Sequence, residues 1–436
     1  MVQHLNRREM LKTTAMLGAG AWVTGVPRFE VSAAANDKLN IACIGIGGRG
    51  VANLNALASQ NIVALCDVDD KRAGNAYQRH PRARKFFDYR RMLDQMEKQI
   101  DAVVVSTPDH THFHPCMAVL ERGKHLYCEK PMAHAVAEVR GMTRLAEKMK
   151  VATQLGVQRH TLNNVHRVVE LVRSGAIGTV REVYSWVGGT RGMPAVPQDT
   201  PAVPASFKWD LWLGGAGQRP YSPAYAPYNW RFWWDFGTGE TGNWGCHILD
   251  IPYWALGLKY PSRVDASGPE VDPQRASKSM QTRFVFPAEG DRAEVILHWD
   301  HASNGPEILK KYGMSPKGQN TLFVGSDGML LCGFGSRKLY PQEKFADFKA
   351  PDRSLPDSPG FHREWIAACH GGKPATCEFG YSGPLTETVL LGNTAYRAGG
   401  GFDWDHQNMI ANGNSRAEPL LRPTYRKGWE IASSTT

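Results

Sequence analysis

The stretch that most limits the fold runs from Leu39 to Asp67. Residues 39–44 are an apolar run of strand length that leads directly into Gly45-Ile46-Gly47-Gly48-Arg49-Gly50, and a helical pattern follows to about Ala58. A second apolar run, residues 62–66, ends in Asp67, 22 positions after Gly45. A G-x-G-x-x-G alone says little. Between a strand and a helix, with an acid closing the next strand, it is a dinucleotide-binding fingerprint. Gly45 permits the tight turn, Gly47 lets the backbone approach a pyrophosphate, and Gly50 lets the helix pack close to its strand. Gly48 and Arg49 belong to the same turn, and the N–H groups at the helix start would hold the pyrophosphate. Asp67 is placed to accept from the adenosine ribose hydroxyls, where its charge repels a 2′-phosphate. NAD is therefore expected over NADP, a preference that Arg49 and Arg72 moderate.

The alternation continues. Residues 83–87, 102–106, 125–128 and 151–155 read as strands, and 89–97, 113–122 and 136–150 as helices. Strands alternating with helices imply right-handed crossovers and a doubly wound parallel sheet. Ligands of such sheets bind outside the carboxyl ends of the strands. Two motifs sit there: Ser106-Thr107-Pro108 and Glu129-Lys130-Pro131. The Glu129–Lys130 pair is either a solvated loop pair or a charged pair aimed into the cleft. His110, His112 and His114 have the spacing of one strand face, but Pro108 and the following helix make this a turn. No carboxylate or cysteine cluster completes a ligand set, so no metal is expected. One histidine near the nicotinamide is, and His112 is the candidate.

At 436 residues the chain has room for two or three domains. Its net charge of +9 is scattered without a Lys/Arg block, which argues against a nucleic-acid partner. Eight cysteines form no C-x-x-C and several lie in apolar strand runs, so no structural disulfide is expected. Residues 6–12, Asn-Arg-Arg-Glu-Met-Leu-Lys, resemble a twin-arginine export signal. Residues 13–26 are mildly apolar and too short to span a bilayer, and Ala33-Ala34-Ala35 offers small residues to a signal peptidase. The expectation is a signal peptide over 1–35, the twin-arginine translocase as partner, a periplasmic location, and no stable membrane anchor after processing.

Beyond the fingerprint, residues 106–112 (Ser-Thr-Pro-Asp-His-Thr-His), Glu129-Lys130-Pro131, 154–159 (Gln-Leu-Gly-Val-Gln-Arg), 175–178, 210–214 and 239–250 together resemble the Gfo/Idh/MocA oxidoreductases over nearly all of 39–430. The resemblance implies a Rossmann domain, residues 36–157, and a C-terminal α/β domain, 158–436, with a large open, mainly antiparallel sheet. Its final segment would pack back on the Rossmann domain. The sheet face would supply the substrate pocket and an interface for a homo-oligomer, dimer or tetramer. Ser106, Thr107, Pro108, His112, Glu129, Lys130 and Gln158 join the cofactor-binding set, and a carbohydrate is the implied substrate. In the second half, residues 181–187, 282–286 and 293–299 read as half-buried strands, and 361–369 and 385–397 as amphipathic helices. Residues 188–235 are rich in Pro, Trp and Tyr; their aromatic rings are either core and interface or a platform for a sugar ring, with Trp230 and Arg231 as candidate contacts beside Arg159. The tail from Trp404 reads as an irregular wrap.

On a helix, Asn243, His247 and Asp250 share one face at i, i+4 and i+7. The resemblance places Asp, His and the Lys of Glu-Lys-Pro together at this point. His247 and Lys130 match, whereas Asn243 departs, and an amide cannot raise the basicity of an imidazole as a carboxylate does. Asn243 then only orients its neighbours, or the proton path runs through Asp250. Lys130, held by Glu129, would bind a substrate hydroxyl and stabilise the alkoxide, with His247 taking or relaying the proton. Free NAD is scarce outside the cytoplasm, so an exported enzyme needs a tightly held, internally recycled cofactor. Three functions follow: an oxidoreductase for a secondary alcohol of a sugar, polyol or glycoside; a redox-neutral NAD-dependent glycoside hydrolase or lyase; and a non-catalytic sugar- or NAD-binding protein.

Overall fold

The computed structural model describes residues 38–431, so the expected export signal lies outside the described residues. The first sheet has six parallel strands: β1 (Asn40–Ile44), β2 (Asn61–Cys66), β3 (Arg84–Phe86), β4 (Ala102–Val105), β5 (His125–Cys128) and β6 (Thr153–Leu155). Their order is β3-β2-β1-β4-β5-β6. Helices α1 (Arg49–Ala56), α2 (Asp70–Arg79), α3 (Tyr89–Met96), α4 (Phe113–Glu121) and α5 (Val136–Met149) connect them. The chain winds one way from β1 to β3 and the other from β4 to β6. The crevice between β1 and β4 is the switch point at which such sheets bind ligands.

Why these residues form these elements is largely a matter of burial. All four residues of β4 are buried, as a strand covered on both faces requires. α2 is mostly polar, with only Ala73, Ala76 and Tyr77 buried, and a reading by apolar runs passes over it. It is started by Asp69, whose side chain accepts from the N–H groups of Lys71 and Arg72.

After α6 (Asn163–Arg173) the chain builds a nine-stranded sheet from β7 (Val180–Val187), β8 (Arg263–Ser267), β9 (Met280–Phe286), β10 (Val295–His301), β11 (Thr321–Gly325), β12 (Met329–Cys332), β13 (Arg337–Tyr340), β14 (Phe402–Asp405) and β15 (Ile410–Asn412). The order is β13-β12-β11-β7-β10-β9-β8-β14-β15, antiparallel except where β7 meets β10. Along β10, Val295, Leu297, Trp299 and His301 are buried and the residues between are half-buried, the signature of a sheet with one covered face. That cover comes from α8 (Gly239–Ile248) against β7 and β10 and from α12 (Phe379–Arg397), the longest helix, against β8 and β9. The other helices of this half are α7 (Trp209–Leu213), α9 (Asp250–Leu256), α10 (Ile308–Lys311), which packs on the opposite face beside Trp186 and Leu322, α11 (Phe361–Cys369) and α13 (Glu418–Leu421).

α12 begins at Phe379, six residues before the expected start at Leu385, and runs through Pro384. Glu378 caps it by accepting from the N–H groups of Gly380 and Tyr381, which offsets the one bond that proline removes. Between the two domains, Arg140 on α5 makes a two-pronged ion pair with Glu387 on α12, and Trp404 on β14 donates to the same carboxylate at 3.0 Å.

The tail departs from the irregular wrap expected. Residues from Phe402 add β14 and β15 to the sheet edge, because Phe402, Trp404 and Ala411 alternate inward. Beyond α13 the chain crosses to the first domain, where Tyr425 Oη donates to Glu138 at 2.8 Å and the Trp429 carbonyl meets His114 Nε2 at 2.8 Å. Most aromatics of 188–235 are core: Phe207, Trp209, Trp212, Tyr225, Trp230, Trp233 and neighbouring Phe236 form a separate buried cluster. All eight cysteines are free thiols.

Candidate active site

A cavity of about 910 Å³ opens at the carboxyl ends of β1, β2, β4 and β5 and is closed opposite by α8, residues 204–231 and Trp429. That is near the upper end of a single ligand pocket, about 300–1,000 Å³. One end is the glycine turn. Gly45 has φ +76°, and a Cβ there would lie 2.7 Å from the Ser106 carbonyl oxygen. A Cβ on Gly50 would lie 1.9 Å from the Gly45 carbonyl oxygen, so Gly50 packs behind the turn and does not line the cavity. No side chain caps α1, whose start with Gly47, Gly48 and Arg49 borders the cavity. Asp67 lines the cavity at the end of β2 and accepts from the N–H groups of Ile46 (2.8 Å), Gly47 (3.2 Å) and Asp69 (3.0 Å). Burial pushes its pKa up while those three N–H groups pull the other way. The Arg72 guanidinium lies beside Gly47 and Gly48.

Ser106, Thr107, Pro108, Glu129, Lys130 and Gln158 continue the lining. Glu129 accepts from Arg49 Nε (3.1 Å), Asn53 Nδ2 (2.9 Å) and Gln158 Nε2 (2.8 Å). Its carboxylate does not hold the Lys130 ammonium, as had been expected; it ties β5 to α1. Asn53, buried in a helix interior, was missed, although an asparagine on the covered face of α1 is itself a signal that a polar partner waits there.

Lys130 Nζ donates to the backbone oxygen of Asn243 (2.5 Å) and to its Oδ1 (3.2 Å). Burial pulls the Lys130 pKa below its ordinary value, and Arg231 nearby adds to the shift. His247, one turn along α8, lines the same wall and has a buried Nδ1 without a partner. Burial and then the charges of Lys130, Arg159 and Arg49 hold its pKa well below the histidine range, so the ring is neutral at neutral pH. Arg159, Trp230 and Arg231 also line the cavity. The Arg159 guanidinium sits 4.2 Å from the Phe334 ring centre and that of Arg231 4.2 Å from Trp230.

Two expected members are elsewhere. His112 is buried behind the wall, with Nδ1 2.8 Å from the Pro131 oxygen and Nε2 2.8 Å from the Thr107 oxygen. It braces the two strand-end loops and does not reach the cavity. Its neighbours turn to other carbonyls: His110 to Phe236 and Trp212, His114 to Trp429. Asp250 is the other correction. Leu249, which joins α8 to α9, keeps helical dihedrals, and the Leu249 N–H to Gly245 and Tyr253 N–H to Leu249 bonds carry the helix past it. Asp250, one turn beyond His247, lies outside the cavity. There it is buried, accepts from Tyr381 Oη (2.6 Å) and meets His160 Nδ1 (2.9 Å), in a packed cluster with Cys377. The constellation thus reduces to Lys130, Asn243 and His247.

Residues 39–157 match the oxidoreductase family described as having an NAD-binding Rossmann fold, and residues 164–431 match that family's C-terminal α/β domain. The chain belongs to the Gfo/Idh/MocA oxidoreductase family. Its free glycine turn, uncapped helix start and strand-end acid fit NAD, the family's cofactor. A protein of Solibacter usitatus named glycosyl hydrolase family 109 protein is 30% identical over 203 residues, 40% of this chain and 43% of that one. A levoglucosan dehydrogenase of Pseudarthrobacter phenanthrenivorans is 24% identical over 232 residues, 50% of this chain and 52% of that one. The match therefore spans about half the length of these curated relatives. The solved aldose–aldose oxidoreductase of Caulobacter crescentus, complexed with glycerol, superposes with a TM-score of 0.55 at 18% identity over 84% of this chain and 99% of its own, a likeness of fold.

Proposed function

We propose that this protein oxidises a secondary alcohol of a sugar, polyol or glycoside with NAD held in the cavity. The observation that carries the reading is the sharing of one wall by Lys130 and His247, at the strand ends next to the glycine turn. NAD, when bound, supplies the hydride acceptor. Lys130 presents an ammonium N–H to the substrate hydroxyl and stabilises negative charge developing on that oxygen. Neutral His247 accepts the hydroxyl proton. Arg159 and Arg231 offer donors to the substrate from the cavity wall. Activity requires His247 neutral and Lys130 charged. Both pKa values are lowered, so both limbs of the pH profile should lie below the ordinary histidine and lysine values, 6.5 and 10.5.

The export signal read in residues 1–35 supports a cofactor that stays bound and is recycled within the site, by reducing a second sugar or another acceptor. A second reading, transient oxidation of a glycoside, loss of the aglycone and re-reduction, is favoured by the 30% relative named glycosyl hydrolase family 109 protein. A sugar, polyol and glycoside screen on the full chain with NAD, reading products as well as NADH, tests the proposal. Lys130→Ala should lower turnover by about 10²–10⁴-fold. Unchanged turnover in that variant, or no redox chemistry on any of these alcohols, contradicts it.

A further inference from the structure

We infer that Glu240 is a positioning residue for Lys130, acting through Asn243 to fix which end of that amide meets the ammonium. Glu240 has no exposed surface. Its carboxylate takes Arg191 Nε and Nη2 at 2.7 Å each, and Asn243 Nδ2 at 3.1 Å. The two-pronged arginine contact holds the carboxylate in one orientation. An amide nitrogen bound to that acid cannot turn. Flipping it would set Oδ1 against the carboxylate and the NH2 against the ammonium, two repulsive contacts at once. Asn243 Oδ1 therefore faces Lys130 Nζ at 3.2 Å, beside the Asn243 backbone oxygen at 2.5 Å. Two of the three ammonium N–H groups are thus engaged, and one is left for the substrate.

Asp109 and Glu129 also favour the charged ammonium, but neither bonds the Asn243 side chain that Glu240 orients. Asp109 accepts from the Thr238 hydroxyl and N–H, and Glu129 is engaged by Arg49, Asn53 and Gln158. Burial pushes the Cys246 thiol up to about 12, so it is uncharged, and His247 is neutral. Arg231 is a cation and works against the ammonium. The acid stands one helical turn before Asn243, and the amide transmits its effect to Lys130. Glu240 stands three positions before Asn243 on the same helix, but Arg191, which anchors it, is 49 residues away, beyond helical spacing.

The inference deepens the proposed function but is tested without turnover: the pH dependence of Lys130 acetylation by acetic anhydride, read by peptide mass spectrometry on the full chain. Glu240→Gln should lower the Lys130 midpoint by about one pH unit, and Asn243→Asp should raise it by about as much. The double variant, which exchanges acid and amide, should return the midpoint to at least the wild-type value and restore turnover lost in Glu240→Gln. A midpoint unmoved in Glu240→Gln, or a double variant as displaced as the single one, overturns the relay. If Glu240→Gln does not fold, Asn243→Asp decides, and a midpoint that fails to rise overturns it. A wrong substrate class leaves these midpoints unaffected.

Discussion

His112 is held by two carbonyl oxygens, and a ring that donates from both nitrogens must carry two protons. Burial opposes that charge, but the Cys128 sulfur, Asp109 and the Pro131 carbonyl outweigh it, and its pKa is pushed up to about 10 from 6.5. A raised folded-state pKa gives stability that is fully present below the unfolded value and is lost as pH rises through the folded one. The advantage of wild type over His112→Gln in chemical denaturation should therefore be largest below pH 6.5 and shrink towards about pH 10. A difference that stays flat across that window would show a neutral ring. The sequence marked His112 as functional but misplaced it. Spacing shows that a histidine lies near a strand end, and does not show that its partners, the Thr107 and Pro131 carbonyls, lie behind the wall. Gly45 and Gly50 were legible because a fingerprint turn is a local object whose close contacts, 2.7 and 1.9 Å to backbone oxygens, follow from the turn itself.

At the scale of elements, α8 carries the chemistry and its end explains what pattern alone misread. Asn243 and His247 fall on one face as expected, but Asp250, one turn further along, lies past the cavity against His160 and Tyr381. Helical periodicity gives a face and not how far along it the cavity extends. The two residues should therefore separate in experiment. His247→Gln should lower kcat by about 10²–10⁴-fold with little loss of stability. Asp250→Asn should cost about 1–3 kcal/mol in unfolding free energy, through its bonds to Tyr381 and His160, and leave the pH profile of turnover in place. An Asp250 variant with wild-type stability and a displaced pH profile would return it to the proton path.

For the whole molecule, the parallel sheet was legible because β1, β2, β4 and β5 are short apolar runs, each followed by a helix, although β3 is Arg-Lys-Phe and largely exposed and β6 is Thr-Gln-Leu. The second sheet was only partly so: β7, β9 and β10 alternate visibly, but β13 is largely exposed and β15 has three residues. The parallel contact of β7 with β10 joins strands more than a hundred positions apart, beyond any local pattern. The cavity is a product of both domains and the tail, since β-strand ends, α8 and Trp429 meet around it. The most direct test of NAD-dependent redox chemistry there is to purify the protein without added cofactor, identify the small molecules released on denaturation by mass spectrometry, and follow absorbance of the intact protein with glycosides and polyols. The account predicts NAD on the protein, with an NADH band that rises with substrate and falls as product is released. A protein that carries no NAD and binds none on titration would contradict it.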